Sequence, residues 1–461
     1  MKVWQIEGGF GLDHLTLSER EAPAPGPGQA RVALSAWSLN FRDVLVITGG
    51  YNPRQRLPLV PLSDAVGVVD AVGEGVTRVK VGDRVAPTFA QRWIAGRIDR
   101  ERQKSALGSP GDGVAAEQVV FDAEGLVHVP AHLTDAEAAT LPCAGVTAWT
   151  ALYDQGGLQP GETVLVQGTG GVSIFALLLA RLAGARVLVT SSSDEKLERA
   201  RQLGATWTIN YREDPAWGKT ARGLTGGVDH VVEVGGAGTI EQSLVAVRPG
   251  GNVYVIGVLD GAGGDLQLTR VLMNAVRMQG VLVGPREAFE RMNAAIAAAE
   301  LRPVIDETTF TFDALPEALA HMQAGAHVGK IAITRLPWSG SYSAAGRRPS
   351  GSPTGSPWSA AARRAARLRR STSAAPSARS RSTSSRSSTT TSSGSWRAAR
   401  AAPSTRPTST AGPPPRPPPG GRARSRRPPA RSRPRPRTPA APSRPGSSRP
   451  RRTWPASPGT R

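Results

Sequence analysis

The period of hydrophobic and polar positions changes several times along this chain, most clearly between Thr163 and Gly204. Thr163 to Gln167 (TVLVQ) is a short β-branched apolar run of the kind that forms a strand buried on both faces. Gly168-Thr169-Gly170-Gly171 then permits a sharp turn. Val172 to Ala183 is apolar nearly all round and carries no breaker, so a buried helix is predicted, with Gly184 at the left-handed cap position. Arg186 to Thr190 predicts the next strand, and a second helix runs on toward Gly204.

Strand, turn, helix and strand in unbroken order make a βαβ unit whose helix N-terminus points at the glycine turn. Unpaired backbone N–H groups and the positive end of the helix dipole suit such a turn to a pyrophosphate, and missing side chains allow close approach. The expected contacts are Gly168, Thr169, Gly170, Gly171 and Val172. The dinucleotide fingerprint wants glycine at three positions; Gly168 and Gly170 fill two, and the small Ser173 stands at the third. Further apolar runs end in glycine: Val228 to Val234 at Gly235-Gly236, Gly251 to Ile256 at Gly257, and Val281 to Val283 at Gly284. This is the pattern of a doubly wound parallel sheet, whose ligands lie beyond the carboxyl ends of the strands. Gly235, Gly257 and Val283 are therefore expected to border the cofactor.

The end of the second strand bears on which dinucleotide is bound. An acidic residue there would hold the ribose hydroxyls of NAD, and none is present. Ser191-Ser192-Ser193 offers hydroxyl donors for a 2′-phosphate, and Lys196 one turn on, with Tyr211, can approach it. NADP(H) is favoured over NAD(H). A structural reading runs alongside: Ser192 caps the following helix in a box with Glu195, and Lys196 is a solvated helix residue.

Upstream, Arg31 to Ala36, Val66 to Val72 and Asp83 to Ala86 are candidate strands separated by glycine turns, as in a small barrel. The fold class expected is α/β: a β-rich domain joined to a doubly wound parallel sheet.

Charge changes the picture only once the chain is divided near Leu336. Residues 1 to 336 hold 30 basic and 36 acidic residues, a net of −6, whereas residues 337 to 461 hold 27 arginines and no acid. The whole-chain charge of +21 thus comes from the tail and implies no nucleic-acid surface on the folded part. The tail is almost wholly Arg, Ser, Pro, Ala, Thr and Gly, cannot bury a core, and reads as disordered. PPPRPPP (Pro413 to Pro419) can form a polyproline ligand, and the Arg/Ser runs can attract RNA, DNA or anionic membrane nonspecifically. Codon composition and four tryptophans (Trp338, Trp358, Trp396, Trp454) favour instead a G/C-rich gene read out of frame, so no specific nucleic-acid or membrane partner is expected. One cysteine, Cys143, excludes a disulfide framework and a cysteine cluster, and a cytoplasmic location is expected.

The stretches SLNFRDVLVITGGY (Ser38 to Tyr51), VGEGVTRVKVGDRV, LPCAGVTAWTAL (Leu141 to Leu152), GTGGVS, INYRE (Ile209 to Glu213) and GKIAI (Gly329 to Ile333) resemble the medium-chain dehydrogenase/reductase superfamily, in its zinc-independent branch of quinone oxidoreductases and enoyl reductases. The resemblance implies a GroES-like catalytic domain from residues 1–144 and 288–336, interrupted by a Rossmann domain at 145–287, with Lys330 among the cofactor contacts. It also implies a homodimer formed through the segment Asp265 to Gly284. Zinc-dependent members use a cysteine, a histidine and a further ligand. Here Asn40 stands at the first position, Ser63 replaces the histidine beside Asp64, and only Cys143 matches, so no zinc is expected. The segment Phe89 to Gly113 carries no cysteine for a structural zinc, and the six histidines read as surface or satisfied core residues.

The chemistry then expected is hydride transfer from NADPH to a small-molecule quinone or electron-poor enone, with Asn40 and Tyr51 as the catalytic donors and Arg42 and Asp43 pairing or capping locally. The alternatives are an NADP-dependent alcohol dehydrogenase and a non-catalytic NADPH-binding protein.

Overall fold

The computed structural model describes residues 1–335. The expectations for the arginine-rich tail concern residues outside this range. β1 (Lys2–Ile6) and β2 (Leu15–Glu19) form an antiparallel pair. β3 (Gln29–Ser38), β4 (Asp64–Val72), β5 (Arg84–Pro87), β6 (Gln118–Asp122) and β7 (Leu126–His128) then pair antiparallel with one another. The chain next enters a six-stranded parallel sheet made of β8 (Thr163–Gln167), β9 (Arg186–Ser191), β10 (Trp207–Asn210), β11 (Val228–Glu233), β12 (Val247–Val255) and β13 (Arg277–Gly280). β14 (Phe310–Thr311) and β15 (Ala332–Thr334) return it to the first sheet, β15 pairing with β3.

Burial explains why each sheet takes its form. All five residues of β8 are buried, as are the last five of β9, because helices cover both faces of the parallel sheet. β3 alternates half-buried and buried positions over most of its length, so one face alone packs on a core of Trp37, Leu34, Val69 and Phe121. The parallel sheet runs in the order β10-β9-β8-β11-β12-β13, so the strand order reverses between β8 and β11. A crevice at that reversal, beyond the carboxyl ends of the strands, is where ligands of such sheets bind. Leu141–Gln155 links the two sheets as a helical run whose turns widen at Leu141–Gly145 and Thr150–Gln155. Among the described residues no helix is long and apolar enough to cross a membrane.

Two sequence expectations need correction. Val281–Val283 is not a strand: the last parallel strand is β13, and the backbone turns after it, with Val283 at φ 118°. Val281 and Val283 are apolar because they are buried in a loop, and burial alone does not distinguish loop from strand. The cap of the helix Asp194–Gln202 is Ser193 rather than Ser192, its hydroxyl accepting the Lys196 N–H at 3.4 Å. β9 runs one residue further than expected, pairing Ser191 with Asn210, and this pushes the helix start along.

Candidate cofactor and active site

The glycine turn sits at the end of β8 and heads the helix Gly171–Leu182, which begins one residue before the expected start. Gly168 has φ 68°, a conformation that a side chain disfavours, and a Cβ on Gly168 or on Gly170 would meet open space. Gly171 is different, since its Cβ would lie 2.6 Å from Cδ of Lys330. Ser173 tucks its hydroxyl onto the Gln167 carbonyl at 2.6 Å, closing helix against strand where the fingerprint has its third glycine. The Gly329 N–H donates to the Thr169 carbonyl at 2.9 Å, so the turn is tied to the segment that carries Lys330.

At the strand reversal, two polar residues that sequence reasoning missed build the wall. Glu233 is fully buried and accepts from Gly235 N and Gly236 N (both 2.9 Å), Thr239 Oγ1 (2.6 Å), Gln167 Nε2 (2.7 Å) and Ser243 Oγ (2.5 Å). Gln167 Oε1 in turn accepts from Val234 N at 3.1 Å. The available signal was a glutamine closing β8 and a glutamate closing β11. Gly235 and Gly257 are required by packing as well: a Cβ there would lie 2.3 Å from Thr239 Oγ1 and 2.5 Å from the Val234 carbonyl oxygen, respectively. Val283, a β-branched residue at positive φ, is strained, and such strain persists where the surroundings enforce it.

At the end of β9, Ser191 is buried, Ser192 half-buried and Tyr211 exposed, with the Tyr211 N–H donating to the Ser191 carbonyl at 3.0 Å. Lys196 is not a solvated helix residue. It is half-buried and donates to the Gly325 carbonyl at 2.6 Å and the His327 carbonyl at 3.2 Å, which leaves one ammonium proton uncommitted. Burial pushes its pKa below the ordinary lysine value, against the opposing charges of Asp306 and Glu195. His327 departs from the expectation of a satisfied histidine: its Nδ1 is buried without a partner, and burial pushes the imidazole down to about 4.

The second cluster lies between β3, β4 and the start of β15. Lys330 is 2% exposed, and its Nζ donates to the Leu39 carbonyl (2.6 Å), to Asn40 Oδ1 (2.6 Å) and to Asp64 Oδ2 (3.5 Å). Lys330 therefore turns its charge toward Asn40 and Asp64, while its stem lies against Gly171 of the glycine turn. Ser63, presented by Leu62 at φ 70°, donates to Asp64 Oδ1 at 3.0 Å. Asn40 Nδ2 reaches Ser63 Oγ at 3.5 Å, and the Cys143 N–H donates to Asp64 Oδ2 at 3.3 Å. Burial raises the Asp64 carboxyl, opposed by Lys330, and burial raises the Cys143 thiol above its ordinary value. Asp43 is buried as well and pushed up to about 6 by desolvation, while it accepts the Asn40 N–H at 2.8 Å at the head of the helix Phe41–Ile47. Arg42 both pairs with Asp43 (3.9 Å) and lies 4.8 Å from the ring centroids of Tyr51 and Phe89. Tyr51 itself is 42% exposed.

These donors do not suit zinc. Cys143 is a single thiol, Asn40 and Ser63 offer only neutral oxygens, and an ammonium already stands beside Asn40 and Asp64. Among the described residues no group of three His, Cys, Asp or Glu side chains is arranged to hold a metal. The glycine turn, by contrast, has the open face and the helix N-terminus that a dinucleotide pyrophosphate requires.

A parallel sheet with a glycine turn beside its strand reversal, backed by an antiparallel sheet carrying a polar cluster, defines a two-part dinucleotide-dependent oxidoreductase. Residues 26–131 match the alcohol dehydrogenase GroES-like domain family, and residues 171–298 match the zinc-binding dehydrogenase family. The chain belongs to the medium-chain dehydrogenase/reductase superfamily. It is 42% identical over 332 residues to the zinc-type alcohol dehydrogenase-like protein C1773.06c of Schizosaccharomyces pombe, covering 70% of this chain and 96% of that one. It is 28% identical to the quinone oxidoreductase-like protein 2 of Bos taurus, covering 68% and 88%. The crystal structure of an NAD-dependent alcohol dehydrogenase superposes with a TM-score of 0.67 at 33% identity, covering 72% of this chain and 99% of that one.

Proposed function

We propose that the chain is an NADPH-dependent reductase that delivers hydride to a quinone or electron-poor enone without a metal. The observation that carries this reading is the Lys330 ammonium paired with Asp64 and Asn40, at the position where the metal-dependent pattern needs anionic or imidazole ligands. When bound, the nicotinamide cofactor supplies the hydride. Gly168 to Val172 would hold its pyrophosphate, Ser191, Ser192, Tyr211 and Lys196 its 2′-phosphate, and Gly235, Gly257 and Val283 its nicotinamide half.

The chain's own part is to receive the charge that develops on the substrate. The Asn40 amide donates a hydrogen bond to the substrate oxygen, and the exposed Tyr51 phenol, its ring held by Arg42, supplies a second donor or the proton that completes the reduction. On this reading residues 145–287 are the cofactor domain and residues 1–144 with 288–336 the catalytic domain. A lone half-buried thiol suits a reducing, cytoplasmic setting. The exposed Leu268, Leu272 and Met273, next to the edge strand β13, suit a homodimer.

A second reading, an alcohol dehydrogenase, is favoured by the description of the Schizosaccharomyces pombe relative as zinc-type alcohol dehydrogenase-like. One experiment separates the two. NADPH absorbance is followed with a substituted benzoquinone, an enone and an aldehyde, before and after exhaustive chelation, with metal content measured in parallel. Quinone or enone turnover that survives chelation supports the reductase. Activity on alcohols or aldehydes alone, lost on chelation and restored by zinc, overturns it.

A further inference from the structure

We propose that Lys330 is a positioning residue that acts through Asn40, claiming the amide oxygen so that the cleft is offered only the amide protons and selects a ligand with a hydrogen-bond-accepting oxygen.

The orientation of an asparagine amide is normally ambiguous, because oxygen and nitrogen are alike in shape. Here it is dictated by chemistry. An ammonium has protons and no lone pair, so the Asn40 atom 2.6 Å from Lys330 Nζ must be the oxygen. Lys330 cannot swing away to release it. Its Nζ is also held by the Leu39 carbonyl and Asp64, and its stem is trapped against Gly171.

The other end of the amide carries two protons. The Ser63 hydroxyl gives its proton to Asp64 Oδ1, so its oxygen can only accept from Asn40 Nδ2, over a long 3.5 Å. The Asp64 carboxylate also takes a hydrogen bond from the Asn40 side chain, which engages one amide proton and leaves the second for a ligand. Lys330, Ser63 and Asp64 are buried, whereas Asn40 is half-buried and is the member of the network that meets the outside. A cation on the amide oxygen also polarises the amide and strengthens its N–H groups as donors, as hydrogen bonds in a chain reinforce one another. The positive charge thus reaches the ligand through a neutral group, with no direct contact from the buried lysine.

For the substrate class this rests on the reductase reading; for the orientation of Asn40 it does not. The test uses a dialkyl formamide, whose carbonyl oxygen accepts a hydrogen bond but whose carbon resists hydride. Its binding to the full chain is measured by calorimetry with and without NADPH. Because Lys330→Met alone strands a buried carboxylate, it is combined with Asp64→Asn, and folding is checked by circular dichroism. Formamide binding is expected to weaken about tenfold in the double variant, both with and without NADPH. Asn40→Ala should produce a similar loss, and adding it to the double variant should cost nothing more. Fully additive losses, unchanged formamide binding in the double variant, or no binding by the wild-type chain would each overturn the proposal. Wild-type formamide binding without any NADPH oxidation by quinone or enone would sink the reductase reading and leave the positioning role of Lys330 standing.

Discussion

A Cβ on Gly171 would lie 2.6 Å from Cδ of Lys330, so the first residue of the glycine-turn helix and the lysine of the polar cluster share one surface. The stem of Lys330 is pinned at its far end by three acceptors, which removes the flexibility that would let it yield. Gly171→Ala should therefore cost about 1–3 kcal/mol of stability, the range for overpacking a filled site. It should also lower both NADPH affinity and turnover. Urea unfolding with a cofactor titration checks this; an alanine variant with wild-type values would show that the lysine stem is free to move.

Lys196 should set the preference between cofactors. With two protons on backbone carbonyls, it has one left for a phosphate. Lys196→Ala is expected to weaken NADPH by about 1–3 kcal/mol, as for a charge-assisted bond, and NADH much less. Its pKa is lowered by burial, so NADPH binding should fade on the alkaline side sooner than for an exposed lysine. Fluorescence titrations of both cofactors between pH 7 and 10 would read this; parallel losses for the two cofactors would contradict it.

Asp43 predicts a pH effect on stability. Its folded pKa, pushed up to about 6 by burial, exceeds that of an unfolded aspartate. The folded state then holds the proton more tightly, so the contribution of Asp43 is fully present below the unfolded value and is lost as pH rises through about 6. Asp43→Asn keeps an oxygen for the Asn40 N–H and removes the titration. Relative to wild type, the variant should gain about 1–3 kcal/mol between pH 4 and 7, measured by denaturant unfolding at both ends. A difference that stays flat with pH would contradict the assignment.

At the edge of the parallel sheet, Leu272 and Met273 are 76% and 77% exposed, beside a strand with one side unpaired. A double change to aspartate should shift the chain from dimer to monomer in sedimentation velocity while leaving its helical signal intact. A wild-type chain that already sediments as a monomer would remove the premise.

What was legible in the sequence depended on how many faces an element buries. β8 was read to the residue because burial on both sides makes a continuous β-branched run bounded by a glycine turn. β13 was misread because Arg277–Gly280 is mostly exposed and carries no such signature, while the apolar Val281 and Val283 beside it drew the assignment. Asn40, Ser63 and Cys143 were legible as positions in a motif, and the structure places them together beside Asp64. The hydrogen-bond partners of Lys330 were not legible. The lysine sat in a motif expected to touch the cofactor, and nothing local to GKIAI reveals that its charge points at Asn40. Glu233 and Gln167 were lost for a related reason, since each makes sense only as the partner of the other across the strand reversal.

Lys330 and Asn40 meet across 290 residues of sequence, and β15, which brings the lysine in, pairs with β3 near the opposite end of the described chain. Contacts so distant in sequence form late, because a long loop must close before they repay its entropy. During synthesis, Asp64 must wait for its counter-ion until nearly the whole folded region has left the ribosome. A chain interrupted before residue 330 would hold a carboxylate with no cation to bury beside it, and its first sheet would lack the β15 strand. Such a chain should be unstable and prone to degradation. A change of reading frame after β15, by contrast, leaves every member of the cluster already encoded. Completion of this polar cluster therefore coincides with completion of the folded region.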